Sequence, residues 1–451
     1  MNARLRMLFV LALVLATLSA CATPTPEVVK EKETVVVRET VEKIVTATPP
    51  PPPEPVKLEV WFLSQSPEEI KLIEGLSAKF GEKHPGVSVT VSAYGYDEMN
   101  KTLKLALDGG IGPDVAYCSP GGITHLAYAK AGHLIELTDI VKERGWDQRH
   151  PMDAIMYPQK ELGGPIWGVP FDLTNVGVFY NKEIFGKLGL KPATTWAEFE
   201  ALLSAIKTAG YTPFSVGALD GWPLDHYFII LGHVTTPIAK IEALNYVQPG
   251  VSLTEDSFVQ AATILKGWVD KGYFNDGFLA TSYDDANNLF ITGKTAMHIG
   301  GTWNNATFVQ QADFEPGFFA VPRVNPDLEW HSLVTPNNVW VLPKYSKHQE
   351  LALDYVDYML GGEVAKALWD SGDIPTFSFA TLPPATSGLQ ADVYRAGLAT
   401  GIGYYWANNM PEFAEAEVSA LQKMVGGELS PQQALTMMEE SHAKEVARAQ
   451  Q

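Results

Sequence analysis

The stretch NLFITGKTAMHIGGTWNN, residues 288–305, decides how this chain is read. Gly293-Lys294-Thr295 has the form of the tail of a phosphate-binding loop. Such a loop needs a glycine five positions before Gly293, so that backbone N–H groups can wrap the phosphates, and it follows a strand and opens a helix. Position 288 is Asn, and the order is reversed: the pattern predicts a helix over about 282–290 and a strand over 295–299. The segment therefore reads as helix, turn and strand. The strand stops at Gly300-Gly301, beside Trp303.

The rest of the chain sets the frame. Its 451 residues are 46% hydrophobic and 11% aromatic, enough for a large core and two or three domains. Net charge is −19, and no Lys/Arg cluster lies outside the N-terminal region, which argues against nucleic acid as a partner. Residues 1–21 have the form of an export signal: Arg4 and Arg6, an apolar run over 7–18 too short to span a membrane, then Leu18-Ser19-Ala20-Cys21. A cysteine at such a cut resembles a bacterial lipobox, which implies acylation of Cys21 and a membrane anchor of several acyl chains. With Cys21 acylated, Cys118, the only other cysteine, has no intrachain partner. It is expected to be a buried small hydrophobe.

Residues 22–56 alternate Val, Glu, Lys and Thr and end in Pro49–Pro53, a composition expected of a tether spanning roughly 30–35 Å. Removing the signal (+2) and residues 22–57 (−1) leaves −20 on residues 58–451, so the body carries the acidity. That body opens with a strand at 58–63. Ser66-Pro67-Glu68-Glu69 then starts a helix with a Ser cap, Pro at the first position and Glu at the third. Val87–Val91, a helix over about 97–107 and Asp114–Cys118 complete β-α-β-α-β, which favours a parallel sheet covered by helices. Thr195 with Glu198, and Ser430-Pro431 with Gln433, mark two further helix starts.

HExxH, CxxC and GxSxG are absent, and the ten histidines are scattered. His226 and His233 lie seven apart with no carboxylate set to complete a metal site, so a surface or core role is expected for them. Asp284-Asp285 reads as helix N-terminal charge rather than an acid/base pair, because adjacent residues point different ways. What remains is aromatic and polar side chains at strand ends and in loops: Trp61, Ser119, Trp222, Trp303, Asn337 and Trp406. In open parallel sheets ligands sit beyond the carboxyl ends of strands. An aromatic face suits the C–H face of a sugar ring, and its hydroxyls need donors and acceptors.

A set of ordered motifs then resembles a known family. These are Gly112-Pro113-Asp114-Val115, Gly168-Val169-Pro170, Val178–Phe185, Leu188-Gly189-Leu190, Thr195–Phe199, Phe290–Met297 with Gly300 and Trp303, and Gly372-Asp373-Ile374-Pro375. Their order and spacing resemble the extracellular solute-binding proteins of ABC importers. The likeness is to the sugar-binding family that includes the maltose- and glycerol-3-phosphate-binding proteins, and it covers the body from about Lys57. It implies an α/β fold of two discontinuous lobes, a periplasmic-binding-protein-like "Venus flytrap" with a hinge, placed at 57–169 plus 302–343 and at 170–301 plus 344–451. It implies a hinge crossing near Gly300 and a ligand cleft contacted by Trp303, Trp222 and Asp172, with Ser119, Asn337, Trp406 and Trp61 as further candidates. It also implies a monomeric, non-enzymatic protein without a cofactor, extracytoplasmic and anchored through Cys21, which hands a neutral carbohydrate to permease subunits. Glycerol 3-phosphate or another solute is the alternative ligand. A secreted glycoside hydrolase is the rival from another class, and it would need two carboxylates about 5–10 Å apart.

Overall fold

Long-range pairing assembles the strands into two sheets whose membership differs from their order in the chain. The computed structural model describes residues 55–64, 66–150, 164–377, 382, 387–401 and 403–450. The expected signal, Cys21 and the tether up to residue 54 lie outside them. Among the described residues the strands are β1 (Val56–Leu63), β2 (Val87–Tyr94), β3 (Val115–Cys118), β4 (Val169–Pro170), β5 (Asp172–Asn181), β6 (Thr212–Ser215), β7 (Thr295–Gly301), β8 (Pro316–Phe319), β9 (Leu333–Pro336), β10 (Val339–Val341) and β11 (Ile374–Pro375).

The first sheet has the order β2-β1-β3-β10-β4. β1 pairs in parallel with β2 and β3, as the β-α-β-α-β pattern requires. β10 returns from far along the chain to lie antiparallel between β3 and β4. Alternation along β1 sends Leu58, Val60 and Phe62 into one core with Ile73, Leu76 and Phe80 of the helix Pro67–Lys83. On the opposite face Met99, Leu103 and Leu107 of the helix Tyr96–Asp108 pack on Ala116, Cys118, Val339 and Val341.

The second sheet is organised by β5. β7 pairs with β5 from Val176 to Tyr180, while β9 and β8 divide the other edge at 173–176 and 178–181. β6 extends the sheet in parallel beside β7, and β11 pairs at Leu173 and Asp172. The quoted stretch resolves into the helix Tyr283–Ile291, a turn with Gly293 at φ +67°, and β7.

Two expected boundaries are corrected. β7 stays in the second sheet through Gly301, paired with Val176. Nor does the chain leave that sheet afterwards: Phe308 and Phe318 cluster on Phe179 and Phe290, and β8 and β9 pair with β5. Residues 302–336 thus belong with the second sheet, and Gly300 is not a crossing. Conversely, the helices Gln349–Met359 and Gly362–Ser371 bury Tyr355, Val356, Met359 and Leu368 in the first core. The sheet assignments place the crossings between β4 and β5, between β9 and β10, and just before β11.

These crossings converge on Asp172. Its carboxylate accepts from the Tyr117 hydroxyl of β3 and from Asn337 Nδ2 at 2.9 Å. Its carbonyl accepts the Asn337 N–H at 2.8 Å. At the third crossing the Thr376 N–H donates to Phe171 O at 3.0 Å, and its hydroxyl to Pro170 O at 3.0 Å.

β5 needs a glycine in its middle. A Cβ at Gly177 would lie 2.5 Å from Phe318 Cζ and 3.1 Å from the Phe319 carbonyl oxygen. Gly177→Ala should therefore cost about 1–3 kcal/mol through overpacking, read as a lower urea midpoint with unchanged slope.

Candidate ligand-binding cleft

A cavity of about 410 Å³ lies between the two sheets, within the usual range of about 300–1,000 Å³ for small-molecule sites. On the first side its wall is the end of β1 (Leu63, Ser64), the first turn of the helix Pro67–Lys83, Tyr96, and the Ser119–Gly121 turn after β3. These are the carboxyl ends of parallel strands, where the topology leaves a crevice. Asn337 and Asn338 line it at the second crossing.

The second wall is aromatic. Trp222 opens the helix Trp222–Thr235 from Gly221, whose φ of +79° suits glycine. Trp303 sits in the 3₁₀ turn Thr302–Asn304 after β7, and its ring folds back over Gly301 so closely that a Cβ there would lie 2.0 Å from the ring. Trp303 Nε1–H donates to the Tyr283 hydroxyl at 2.6 Å, and Asn304 Nδ2 donates to the same oxygen at 2.7 Å. Burial raises the Tyr283 hydroxyl to about 12, so it stays protonated and holds both neighbours. The Trp222 ring lies 4.4 Å from Tyr283 and 6.4 Å from Trp303, centroid to centroid. Tyr96 faces Trp222 from the other side at 6.4 Å. The two walls also touch where the Gly122 N–H donates to Asn409 Oδ1 at 3.1 Å.

Two polar side chains in this wall each carry one atom without a protein partner. His226 lies one helical turn beyond Trp222, its ring 5.5 Å from both Trp303 and Tyr405. It is 3% exposed, and burial, with His298 nearby, pushes it down to about 3, so it is neutral. Its Nδ1 has no hydrogen-bond partner. Asn287, one turn beyond Tyr283, has an unpartnered Oδ1 at 9% residue exposure. Both residues line the cavity. Unpaired buried polar atoms cost free energy unless a ligand or water satisfies them. The sequence did hold a signal for them. Trp222 with His226, and Tyr283 with Asn287, are spaced four apart on helices and so share a face.

Of the sequence candidates, Trp303, Trp222, Ser119 and Asn337 line the cavity. Asp172 does not, because Tyr117 and Asn337 occupy its carboxylate oxygens. Trp406 is fully buried in the second core; its Nε1–H donates to Glu417 Oε1 at 2.9 Å and its ring stacks on His233 at 5.6 Å. Its neighbour Tyr405 reaches the cavity instead. Trp61 falls on the face of β1 opposite Phe62, against Tyr94 at 5.0 Å and away from the cavity. Beneath Tyr405, burial raises the Asp225 carboxyl and lifts Glu417 to about 8, and the Glu417 charge raises Asp225 further.

The sequence profile of bacterial extracellular solute-binding proteins matches residues 66–366. The chain belongs to that family. As an ABC-transporter solute-binding protein it acts outside the cytoplasm and carries no enzymatic function. Among relatives, it is 24% identical over 331 residues to the Multiple sugar-binding protein of Streptococcus mutans, covering 71% of this chain and 75% of that one. It is 26% identical over 368 residues to the Maltodextrin-binding protein MdxE of Bacillus subtilis, covering 77% and 80%. In fold it matches a chitin oligosaccharide binding protein, with a TM-score of 0.77 at 22% identity over 87% of this chain and 99% of that one. A raffinose complex of the solute-binding protein RafE matches with a TM-score of 0.72, also at 22%, over 87% and 100%.

The hinge carboxyl of this solute-binding protein gives a pH signature. Burial raises Asp172 from 3.8 to about 6, against the opposing hydrogen bonds from Tyr117 and Asn337. Between those values the unfolded carboxyl has lost its proton while the native one keeps it. The associated stability is therefore present below about pH 4 and lost as pH rises through 6. The loss amounts to up to about 3 kcal/mol at about 1.4 kcal/mol per unit. Asp172→Asn should flatten this part of the profile, measured by urea unfolding at a series of pH values.

Proposed function

We propose that this protein captures a carbohydrate in the cleft and presents it to the permease of an ABC importer. The carrying observation is the wall of Trp222, Tyr283 and Trp303 set beside the unpartnered Nδ1 of His226 and Oδ1 of Asn287. A sugar ring has flat C–H faces for the aromatic rings and hydroxyls for the orphan polar atoms. The relatives and structural neighbours whose names specify sugars support the same ligand class. Glycerol 3-phosphate is disfavoured, because the cavity lining contains no Lys or Arg to meet a phosphate dianion.

Closure of the two bodies about the Asp172 crossing is the event the permease reads. The site residues are Trp303 and Trp222 as ring stackers, His226 and Asn287 as hydroxyl partners, and Ser119 and Asn337 at the rim. The lipobox-like Leu18–Cys21 supports anchoring of the extracytoplasmic protein by acylation of Cys21, with residues 22–56 as the tether.

Tryptophan fluorescence and thermal melting against a panel of mono- and oligosaccharides, glycerol 3-phosphate and peptides test this. The expected result is saturable, stoichiometric binding of a saccharide without turnover. Trp303→Ala should weaken that binding by about 30-fold or more, the scale of a truncated aromatic hot spot. Binding only of a non-sugar solute would reject the proposal. Cys21→Ser should release the protein from membranes into the medium.

A further inference from the structure

The cleft walls carry acids and no Lys or Arg. Glu69 occupies the third position of the helix Pro67–Lys83, where a capping glutamate normally turns back to the N-cap N–H. The glutamate at Thr195-Glu198 does so. Here the Ser66 N–H donates instead to Ser64 Oγ at 3.0 Å, and the Ser64 hydroxyl donates to Glu69 Oε2 at 2.6 Å. Glu69 is thereby released from the cap and lines the cavity. Asp172 and Asp373 lie behind it, near enough to repel its charge. Across the cleft Asp284 lines the second wall, with Asp220 and Asp285 close by. The groups that face Glu69 are Tyr117 of β3, Asp172 of β5 and Asp373 just before β11, with Glu68 beside it on its own helix. None is a cation.

We propose that the cleft selects a saccharide bearing a primary amino group, with Glu69 as the specificity-determining residue that receives the ammonium. The inference rests on the carbohydrate reading above and narrows it. Glu69 and Asp284 are the groups a bound cation would meet, and neither wall offers a Lys or Arg to a uronate or a sugar phosphate. His226 and Asn287, each with an unpartnered atom, line the same cavity, and the Asn287 Oδ1 accepts from a donor, which both ammonium and hydroxyl groups supply. Burial first, then Asp373 and Asp172, hold the Glu69 carboxyl well above its ordinary range, with the Ser64 hydrogen bond opposing. An entering ammonium keeps its own protons and favours the ionised carboxyl, so a proton held by Glu69 leaves to the buffer as the carboxylate–ammonium pair forms.

The test is isothermal titration of the protein at pH 7 with matched oligosaccharide sets of the glucose and galactose series. Each set contains the hydroxyl, free-amine, N-acetyl and uronate forms, and each titration is run in two buffers of different ionisation enthalpy. The amine form should bind at least about tenfold tighter than its hydroxyl counterpart, the scale of one charge-assisted hydrogen bond. It should release protons to the buffer on binding, and the uronate should be rejected. In Glu69→Gln, checked for folding by circular dichroism, the amine-to-hydroxyl ratio should fall to about one and proton release should vanish. Equal or tighter binding of the hydroxyl form by the wild type overturns the inference and leaves carbohydrate capture standing. So does an amine preference that survives Glu69→Gln. Failure of every saccharide to bind overturns both.

Discussion

Everything in this molecule hangs on one buried carboxylate. Asp172 is where the chain passes from the first sheet to the second, and its oxygens take hydrogen bonds from Tyr117, anchored in the first sheet, and from Asn337 of the second crossing. The third crossing pairs its backbone, Pro375 opposite Asp172. A chain whose segments alternate between two sheets brings its connections together at such a point. Burying a carboxylate there is costly, and the two donors offset that cost.

The crossing also fixes the chemistry of the cleft. Because the connections cluster on one side, the carboxyl ends of β1 and β3 face the Trp222–Tyr283–Trp303 wall across an open crevice. Both walls are short of positive charge. His226 and His298 are kept neutral by burial, and burial raises the carboxyls behind the walls, Asp373 to about 7, with help from Asp172, and Glu417 to about 8. An aromatic surface without fixed cations discriminates by ring shape and hydroxyl geometry, and it penalises anions.

Local signals in the sequence carried much of this. Helix starts at Ser66, Thr195 and Ser430 are set by side chains within four residues, and all three form. So does the order helix, turn and strand at 283–301. Sheet membership was harder to see. Nothing within ten residues of Val339 says that β10 will insert between β3 and β4, or that the helices at 349–371 will return to the first core, because those choices depend on partners more than 150 residues away. The site shows the same division. Trp222 and Trp303 stood out through their glycine and proline neighbours. Trp406 and Tyr405 are adjacent, and only the packing of Trp406 against Glu417 and His233 decides which of the two meets the cavity. Glu69 has the spacing of an ordinary capping residue, and only the fold, with Ser64 taking the Ser66 N–H, frees it from that role.

The most direct test of the account is a crystal structure of the protein grown with whichever saccharide it binds. The account predicts a sugar ring lying on Trp303 or Trp222, hydrogen bonds from the ligand to His226 and Asn287, and Asp172 still holding Tyr117 and Asn337. A saccharide bound outside the cleft, or inside it with the aromatic wall and both orphan polar atoms untouched, would contradict it.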